Sequence, residues 1–270
     1  MIGRLRVIVL AISLAVAASA YATEGKKALR VCADPNNLPF SNQRGEGFEN
    51  RLAEIIAREL GRKLEYTWWA QRRGFFRNTL NAGRCDVVMG VPSGFERVLT
   101  TRPYYRSSYA LVYRKDAGYT LRSLDASELR TLKIGLHFIG DDYSNPPPAE
   151  ALARRGIIQN VVGYSIYGDY REPNPPARLI EAVARGDIDV AIAWGPLAGY
   201  FAKRQPTKLA VVPLPTPDEP QAQPFEFSIA MGVRKDDKPL RAALDEVLAR
   251  KRSQITALLK KYGVPLIEPR

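Results

Sequence analysis

The stretch Leu80–Val88, with the sequence LNAGRCDVV, has a counterpart in residues 183–191, VARGDIDVA. In both copies the end of a predicted helix is followed by Gly, by Asp and by a run of apolar residues. Glycine often ends a helix because it readily adopts the left-handed conformation, and a short apolar run is typical of a buried parallel strand. One copy in each half of the chain favours two similarly built lobes, although a single larger sheet would also accommodate both copies.

Strands and helices alternate on both sides of these two copies. The predicted strands cover residues 29–33, 63–69, 85–91, 132–136, 158–164, 188–194 and 225–233. The predicted helices cover residues 48–60, 75–82, 148–155 and 175–185, and a long amphipathic helix follows an Asp237 cap. This alternation predicts an α/β fold with parallel sheets covered by helices.

The composition is that of a globular protein. The chain has 270 residues, of which 46% are hydrophobic and 25% are charged. One His and two Cys are too few for a structural zinc, haem or iron–sulfur site, and we predict no metal site. No hydrolase or phosphate-binding motif occurs, so we expect a binding protein and not an enzyme. The formal charge of +12 favours acidic partners.

Residues 1–22 have the features of a secretory signal peptide. Arg4 and Arg6 precede an apolar run over residues 7–16, and Ala20-Tyr21-Ala22 has the small residues that a cleavage site requires. A membrane anchor is the alternative interpretation. We expect export to the periplasm, where charge alone is a poor reason to predict nucleic-acid binding, and no further stretch is apolar enough to span a membrane.

Both cysteines lie in the predicted mature chain, and each lies beside a predicted strand. In an oxidising compartment such a pair usually forms a disulfide, so we predict a Cys32–Cys85 bridge. Two buried free thiols are the alternative.

The order of several short motifs resembles that of type II periplasmic solute-binding proteins. These motifs are Gly47–Ala53, Asp86–Val88, Phe95–Arg97 and Tyr104–Tyr105. The resemblance implies two lobes, each with a mostly parallel sheet flanked by helices, joined by a two-stranded hinge. It implies the division into residues 23–112 plus 225–270 for lobe 1, residues 113–214 for lobe 2 and residues 215–224 for a Pro-rich connector near the hinge.

The amino-acid receptors of that superfamily provide a comparison. They hold the ligand carboxylate with an arginine, which Arg97 matches, and a nearby hydroxyl, where this chain has Gly94. They hold the amine with an aspartate, where this chain has Trp194. An indole has no negative charge to neutralise an ammonium group. Amino-acid transport is therefore not expected, and Arg97 is either an anion anchor in the cleft or part of a structural ion pair.

More distinctive segments resemble the J proteins (the MxaJ/XoxJ family), the binding-protein-like companions of quinoprotein methanol dehydrogenase. These segments are Cys32–Asn42, Gly140–Asp142, Tyr167–Arg171 and Ala193–Tyr200. The resemblance implies a periplasmic protein, monomeric when alone, that binds or helps to mature the dehydrogenase, with the cytochrome of that enzyme as a further candidate partner. It implies no cofactor in this chain, since pyrroloquinoline quinone (PQQ) and a metal belong to the partner.

A cleft between two lobes is lined by strand ends and the loops that follow them. The candidate cleft residues, for a partner or a ligand, are Asn36, Asn37, Phe40, Trp68, Trp69, Arg97, Tyr104, His137, Tyr167 and Trp194. The alternative function is delivery of a small anionic or aromatic solute to an ABC importer.

Overall fold

A computed structural model of the chain describes residues 28–138, 145–165, 170–219 and 222–268. The predicted signal peptide at residues 1–22 and the candidate cleft residue Tyr167 lie outside the described residues. No helix in the described ranges combines the length and apolar content that are needed to cross a membrane.

The strands are short except for one near the middle of the chain. They are β1 Leu29–Ala33, β2 Asn36–Asn37, β3 Ser41–Asn42, β4 Leu64–Trp68, β5 Val87–Pro92, β6 Leu99–Thr100, β7 Tyr105–Arg114, β8 Ile134–Phe138, β9 Val161–Ser165, β10 Val190–Trp194, β11 Leu209–Pro213 and β12 Glu226–Val233. The helices are α1 Phe48–Leu60, α2 Phe75–Asn78, α3 Pro147–Arg154, α4 Arg178–Arg185, α5 Gly195–Ala202, α6 Lys238–Arg250 and α7 Arg252–Lys261.

One continuous sheet runs through the molecule in the order β4-β1-β5-β12-β7-β10-β8-β9. Strands β4, β1 and β5 are parallel to one another, and so are β10, β8 and β9. Strand β7 joins the two parallel groups, because its first half pairs with β12 and its second half pairs with β10 and β11. The predicted α/β fold of two lobes is confirmed.

Each parallel group has its own hydrophobic core. Lobe 1 comprises β1, α1, β4, β5, β12, α6 and α7, whose apolar residues form one cluster. Lobe 2 comprises β8, β9, β10 and α3 to α5, and its sheet has a cluster on each face. Helices on both faces of a parallel sheet are what burying the sheet requires.

Helix α1 shows how the sequence pattern produces these elements. Phe48, Leu52 and Ile56 recur at four-residue spacing, so they lie on one side of the helix, and all three are fully buried. The Asn50 side chain accepts hydrogen bonds from the backbone N–H groups of Gly47 and Asn42, which anchors the start of the helix. The predicted stop is confirmed, since Gly61 has a φ of 61°.

The helices of the structure differ from the prediction in four places. Helix α2 ends at Asn78, and the predicted long C-terminal helix is two helices that meet at Lys251. The predicted helix over residues 175–185 starts as a 3₁₀ turn before α4, and Asn174 makes no side-chain cap. Helix α5 was not predicted, since its Gly and Pro residues obscure the helical pattern, although Pro is compatible with a first helical turn.

The predicted disulfide is confirmed. Cys32 in β1 is bonded to Cys85, which lies just before β5, and their Cα atoms are 5.5 Å apart. Strands β1 and β5 are paired neighbours in the sheet, which brings the segment just before β5 close to β1.

The C-terminal end of lobe 1 also contacts lobe 2. Tyr262 stacks on Tyr200 of α5 with ring centroids 5.7 Å apart. A Cβ atom at Gly199 would overlap the carbonyl oxygen of Gly263. The Ser107 hydroxyl in β7 donates to the Pro265 carbonyl at 2.6 Å. The first two contacts join the C-terminal segment to α5 of lobe 2, and the third joins it to β7.

Removal of the disulfide tests its contribution to stability. Replacing both cysteines (Cys32→Ala with Cys85→Ala) is expected to lower the free energy of unfolding by about 2–5 kcal/mol, because the open loop gains entropy in the unfolded state. Urea unfolding followed by circular dichroism measures the change. Reduced wild-type protein is the control and should match the variant; a variant as stable as the oxidised protein would contradict the prediction.

Gly199 lies close to the Gly263 backbone. A Gly199→Ala substitution is therefore expected to change stability in the opposite direction from the same substitution in an exposed helix. In an open helix, Gly→Ala stabilises by up to about 1 kcal/mol. Gly199→Ala is instead expected to destabilise by about 1–3 kcal/mol, because the new methyl group displaces the Gly263 backbone. Urea unfolding checks this, with Ala202→Gly as the control for helix propensity in α5. Greater stability of Gly199→Ala than of wild type would show that the tail moves freely.

Candidate functional site

The candidate site is a cavity of about 400 Å³ between the lobes. Lobe 1 and its loops contribute most of the lining, lobe 2 contributes one wall, and Tyr109 of β7 lies between them. The lining residues are Asn37, Phe40, Glu49, Gln71, Phe76, Gly90, Val91, Pro92, Tyr105, Tyr109, His137, Trp194, Leu197 and Ile229. This volume lies within the range of small-molecule sites.

The loop after β1 is shaped by the buried carboxylate of Asp34. It accepts backbone N–H groups of Asn36 at 2.8 Å and Gln71 at 2.7 Å, and the Tyr170 hydroxyl at 3.0 Å. Burial raises the pKa of Asp34, while these three hydrogen bonds and the more distant Arg72 act in the opposite direction. Asp34 therefore holds Asn37 and Gln71 against the cavity.

The same loop contacts lobe 2 at the rim of the cavity. The Asn36 amide group donates to the Glu172 carbonyl at 2.8 Å, and its oxygen accepts the Asn174 N–H at 3.3 Å. The hydrogen bond between Tyr170 and Asp34 lies beside them. The predicted residue Asn36 thus bridges the lobes, while its neighbour Asn37 lines the cavity.

Aromatic rings form the apolar part of the cavity. Phe40 lies edge-on to Phe48, with centroids 5.4 Å apart. Trp194, at the end of β10, packs edge-on against Tyr109 and Phe227, with ring centroids 5.6 Å and 5.9 Å apart respectively. These contacts hold the Phe40 and Trp194 rings in place, so the cavity has preformed aromatic surfaces.

His137 lies in β8, and the residue is only 5% exposed. Neither ring nitrogen has a hydrogen-bond partner among the described residues. Burial lowers the pKa of His137 to about 4; the Pro176 carbonyl opposes this effect without reaching hydrogen-bond geometry. The imidazole is therefore neutral at pH 7, with one donor and one acceptor unused.

Glu49, in the first turn of α1, is the carboxylic acid of the cavity. Its side chain lies over Gly90 of β5, where any Cβ atom would overlap the carboxyl oxygen Oε1. No described residue donates a hydrogen bond to this carboxyl group. Removal from water raises the pKa of Glu49 to about 8, so the group is mostly protonated at neutral pH.

Besides Asn36 at the rim, four of the predicted cleft residues do not line this cavity. Trp68 stacks on Tyr66, and Trp69 is exposed under the Arg84 guanidinium. The Tyr104 hydroxyl donates to the Met89 carbonyl in lobe 1. Arg97 is exposed in the turn between β5 and β6, with no ion pair among the described residues, so it is neither an anchor in this cavity nor a member of an observed ion pair.

Sequence reasoning did not include Glu49, Gln71 or Tyr109 among the site residues. Glu49 stands in the motif Gly47–Ala53, but a charged residue in the first turn of a helix is usually explained by the helix dipole. Gln71 and Tyr109 carry no local signal, since only the packing of β7 and the loop after β4 brings them to the cavity.

A second cavity of about 630 Å³ lies on another part of the junction between the lobes. Its charged side chains already have partners: Arg44 pairs with Glu46, Arg51 pairs with Glu54, and Arg204 lies over the Tyr200 ring. The unpartnered polar atoms His137 Nδ1 and Nε2 and Asn37 Oδ1 belong instead to the first cavity, which makes it the better candidate. Within the described ranges, no group of three or more His, Cys, Asp or Glu side chains is placed to hold a metal ion.

Comparison with known proteins shows similarity over nearly the whole described chain. The model of the family "Bacterial extracellular solute-binding proteins, family 3" matches residues 29–265. Protein MoxJ of Methylorubrum extorquens is 34% identical over 254 residues, which are 88% of this chain and 81% of that protein. Protein MoxJ of Paracoccus denitrificans is 30% identical over 257 residues, which are 88% of this chain and 89% of that protein.

The solved structures include a crystal structure of the periplasmic binding protein XoxJ from Methylobacterium extorquens AM1. Its TM-score to this chain is 0.74 at 37% sequence identity, and the match covers 90% of this chain and 100% of that one. The match therefore extends over both lobes.

The raised pKa of Glu49 predicts a pH dependence of stability. Between pH 4.5 and about 8 the folded chain keeps a proton on Glu49 that the unfolded chain has lost. The stability that protonated Glu49 contributes is therefore lost as pH rises through this window, by at most about 1.4 kcal/mol per pH unit. Glu49→Gln lacks this term, so its stability relative to wild type is expected to increase from about pH 5 to about pH 8.

Urea unfolding of both proteins across this pH range measures the difference. His137 acts in the opposite direction below its ordinary pKa, but it is present in both proteins and cancels. Glu96→Gln, which removes an exposed carboxylate, is the matched control. A stability difference between Glu49→Gln and wild type that does not change with pH would contradict a buried protonated Glu49.

Proposed function

The chain belongs to family 3 of the bacterial extracellular solute-binding proteins, and from this we propose that it is a periplasmic accessory protein that binds a quinoprotein methanol dehydrogenase and assists its maturation or activation. Its family and its MoxJ-like relatives indicate a periplasmic binding protein associated with methanol oxidation, and a binding role more than a catalytic one. The proposal adds two points to this: the partner is the dehydrogenase, and the cleft is the surface that contacts it.

The observation that carries the proposal is the absence of a charge pair for a zwitterion in the cavity. No Lys or Arg is among the described residues that line it. Arg97 is exposed outside the cavity, and Trp194 lines it at the position that the sequence resemblance assigns to the amine-binding aspartate of amino-acid receptors. A free amino acid would lose water around both of its charges without gaining an ion pair. The anionic solute of the alternative function has no cationic anchor there either.

The aromatic surfaces favour a partner protein. Interface energy is concentrated in a few rings and apolar side chains that enter desolvated pockets. Phe40 and Trp194 form such a pocket, and Pro92 is exposed at its edge. A side chain or short segment of the dehydrogenase would occupy the space that a solute occupies in a receptor.

The charge of the molecule supports an acidic partner. The full sequence carries +12, and part of this charge lies on helix α7, where exposed Arg252, Lys260 and Lys261 form no ion pair within the described ranges. Such a field accelerates encounter with an acidic protein, whether the dehydrogenase or its cytochrome. PQQ and a metal remain assigned to the partner, and we expect no cofactor in this chain.

A binding measurement with the dehydrogenase tests the proposal. The purified mature chain, immobilised on a sensor, is expected to bind the quinoprotein dehydrogenase from the same cells, with an affinity that weakens as salt is raised. Pro92→Trp, which places a large ring at the edge of the cavity, is expected to weaken binding at least tenfold, or about 1.4 kcal/mol.

Pro103→Trp is the matched control, because Pro103 is also exposed but lies outside the cavity lining. It is expected to bind within twofold of wild type. Failure of the wild-type chain to bind the dehydrogenase would overturn the proposed function. Equal binding by Pro92→Trp and Pro103→Trp would retain the partner but exclude the cleft as the contact.

A further inference from the structure

The cavity contains polar atoms that protein groups leave without partners. The two ring nitrogens of His137 have none, and neither does the buried Oδ1 of Asn37. Buried polar atoms in native proteins nearly always have hydrogen-bond partners, so an exception needs an explanation. Since all three atoms belong to residues that line one cavity, a bound group that reaches them is the simplest explanation.

Glu49 adds a third polar residue of the lining to these two, and no described residue donates a hydrogen bond to its carboxyl group. Gly90 leaves room for its carboxyl group on the floor of the cavity, because any other residue there would overlap Oε1. The titratable groups that act on or near Glu49 are Tyr66, Tyr104 and Tyr105, whose pKa values are all raised, and His137 lines the same cavity. No described cation neutralises Glu49, and its pKa of about 8 follows from burial alone.

Glu49 and His137 determine which charge a bound group can carry. An anion would face the carboxyl group of Glu49 with no Lys or Arg in the lining. A cation would need Glu49 to lose a proton that burial favours. A protonated carboxyl group and a neutral imidazole each offer one donor and one acceptor. They therefore fit a group that has both and carries no charge.

The aromatic side chains of the lining favour a planar shape for the bound group. Phe40, Tyr105, Tyr109 and Trp194 line the cavity beside the unpartnered atoms. Aromatic side chains contact flat apolar surfaces by stacking or edge-on packing. A planar ring with a polar edge would place its face on these side chains and its edge against His137 and Glu49.

We infer that the cleft binds an uncharged aromatic group whose polar edge exchanges hydrogen bonds with His137 and Glu49. The inference rests on the proposed function in placing the contact in this cleft. The group has two possible sources, the side chain of a partner protein and a free small molecule, and both present the same chemistry to the cavity.

Three probes of one shape and different charge test this inference. Benzamide is neutral, benzoate is an anion and benzamidine is a cation, and all carry one ring and a planar polar group. Their affinities are measured by NMR titration of the full mature chain, following the indole N–H signals of Trp194 in the cavity and Trp69 outside it. Benzamide is expected to shift the Trp194 signal, to leave Trp69 unchanged and to bind at least tenfold more tightly than either ion.

Two results would overturn the inference. One is binding of benzoate or benzamidine as tight as that of benzamide. The other is no shift of the Trp194 signal by benzamide at about 10 mM, where even a weak fragment with a Kd of about 1 mM nearly saturates its site. If the dehydrogenase still binds in either case, the proposed function stands and only the assigned chemistry of the cleft is wrong.

A fourth probe separates the two sources. N-acetyl-L-tyrosinamide carries a neutral ring on a capped backbone, as a side chain in a protein does. Affinity at least tenfold above that of benzamide supports a side chain of the partner as the natural occupant. Affinity equal to or below that of benzamide supports a free small molecule.

Variants of the two polar residues test their roles directly. His137→Phe keeps a ring but removes both nitrogens, and it is expected to weaken benzamide binding at least tenfold. In wild type, benzamide affinity is expected to fall from pH 6.5 to pH 9 as Glu49 ionises with a pKa of about 8. In Glu49→Gln this fall is expected to disappear, because the amide does not ionise.

A pH profile that is the same in wild type and Glu49→Gln would remove Glu49 from the site. Glu96→Gln, on the surface, is the matched control and is expected to keep the wild-type profile. Unfolding measured on each sample separates lost binding from lost structure. Benzamide binding by folded His137→Phe that equals wild-type binding would overturn the role of His137.

Discussion

The pairing of β7 with strands of both lobes is the constraint on which the rest of the structure depends. Its first half is hydrogen-bonded to β12 and its second half to β10 and β11. A single ten-residue strand therefore sets the distance and orientation of two parallel sheets that each bury their own core. Tyr105 and Tyr109 lie on this strand and line the cavity, so the element that joins the lobes also forms part of the site.

Burial of titratable groups determines the charge of the cavity. A carboxyl group in water would be ionised at neutral pH, but Glu49 is half-buried in the cleft, and desolvation raises its pKa so that it is mostly protonated. Burial has the opposite consequence for His137, which loses its proton. The same physical effect thus makes both groups neutral. This is the physical difference between this cleft and a receptor that grips its ligand by an ion pair.

Local sequence patterns predicted much of the fold, for reasons that particular elements make clear. The spacing of Phe48, Leu52 and Ile56 identified α1, and Gly61 identified its end. Two cysteines near predicted strands identified the disulfide. Helix α5 was missed because Gly195, Pro196 and Gly199 are poor helix formers by propensity. Packing overrides that preference, since Gly199 is needed where Gly263 approaches the helix.

The sequence by itself determined the alternation of strands and helices, the pairing of Cys32 with Cys85 and membership in a two-lobed family of binding proteins. These depend on periodicity, composition and motif order, which are local properties of the chain. Only the tertiary structure decided that Trp194 faces the cavity while Trp68 stacks on Tyr66, and that Arg97 lies outside it. It also placed Glu49 over Gly90, 41 positions later in the chain. Desolvation by residues so distant in sequence has no local signature, and it decides whether a carboxyl group carries a charge.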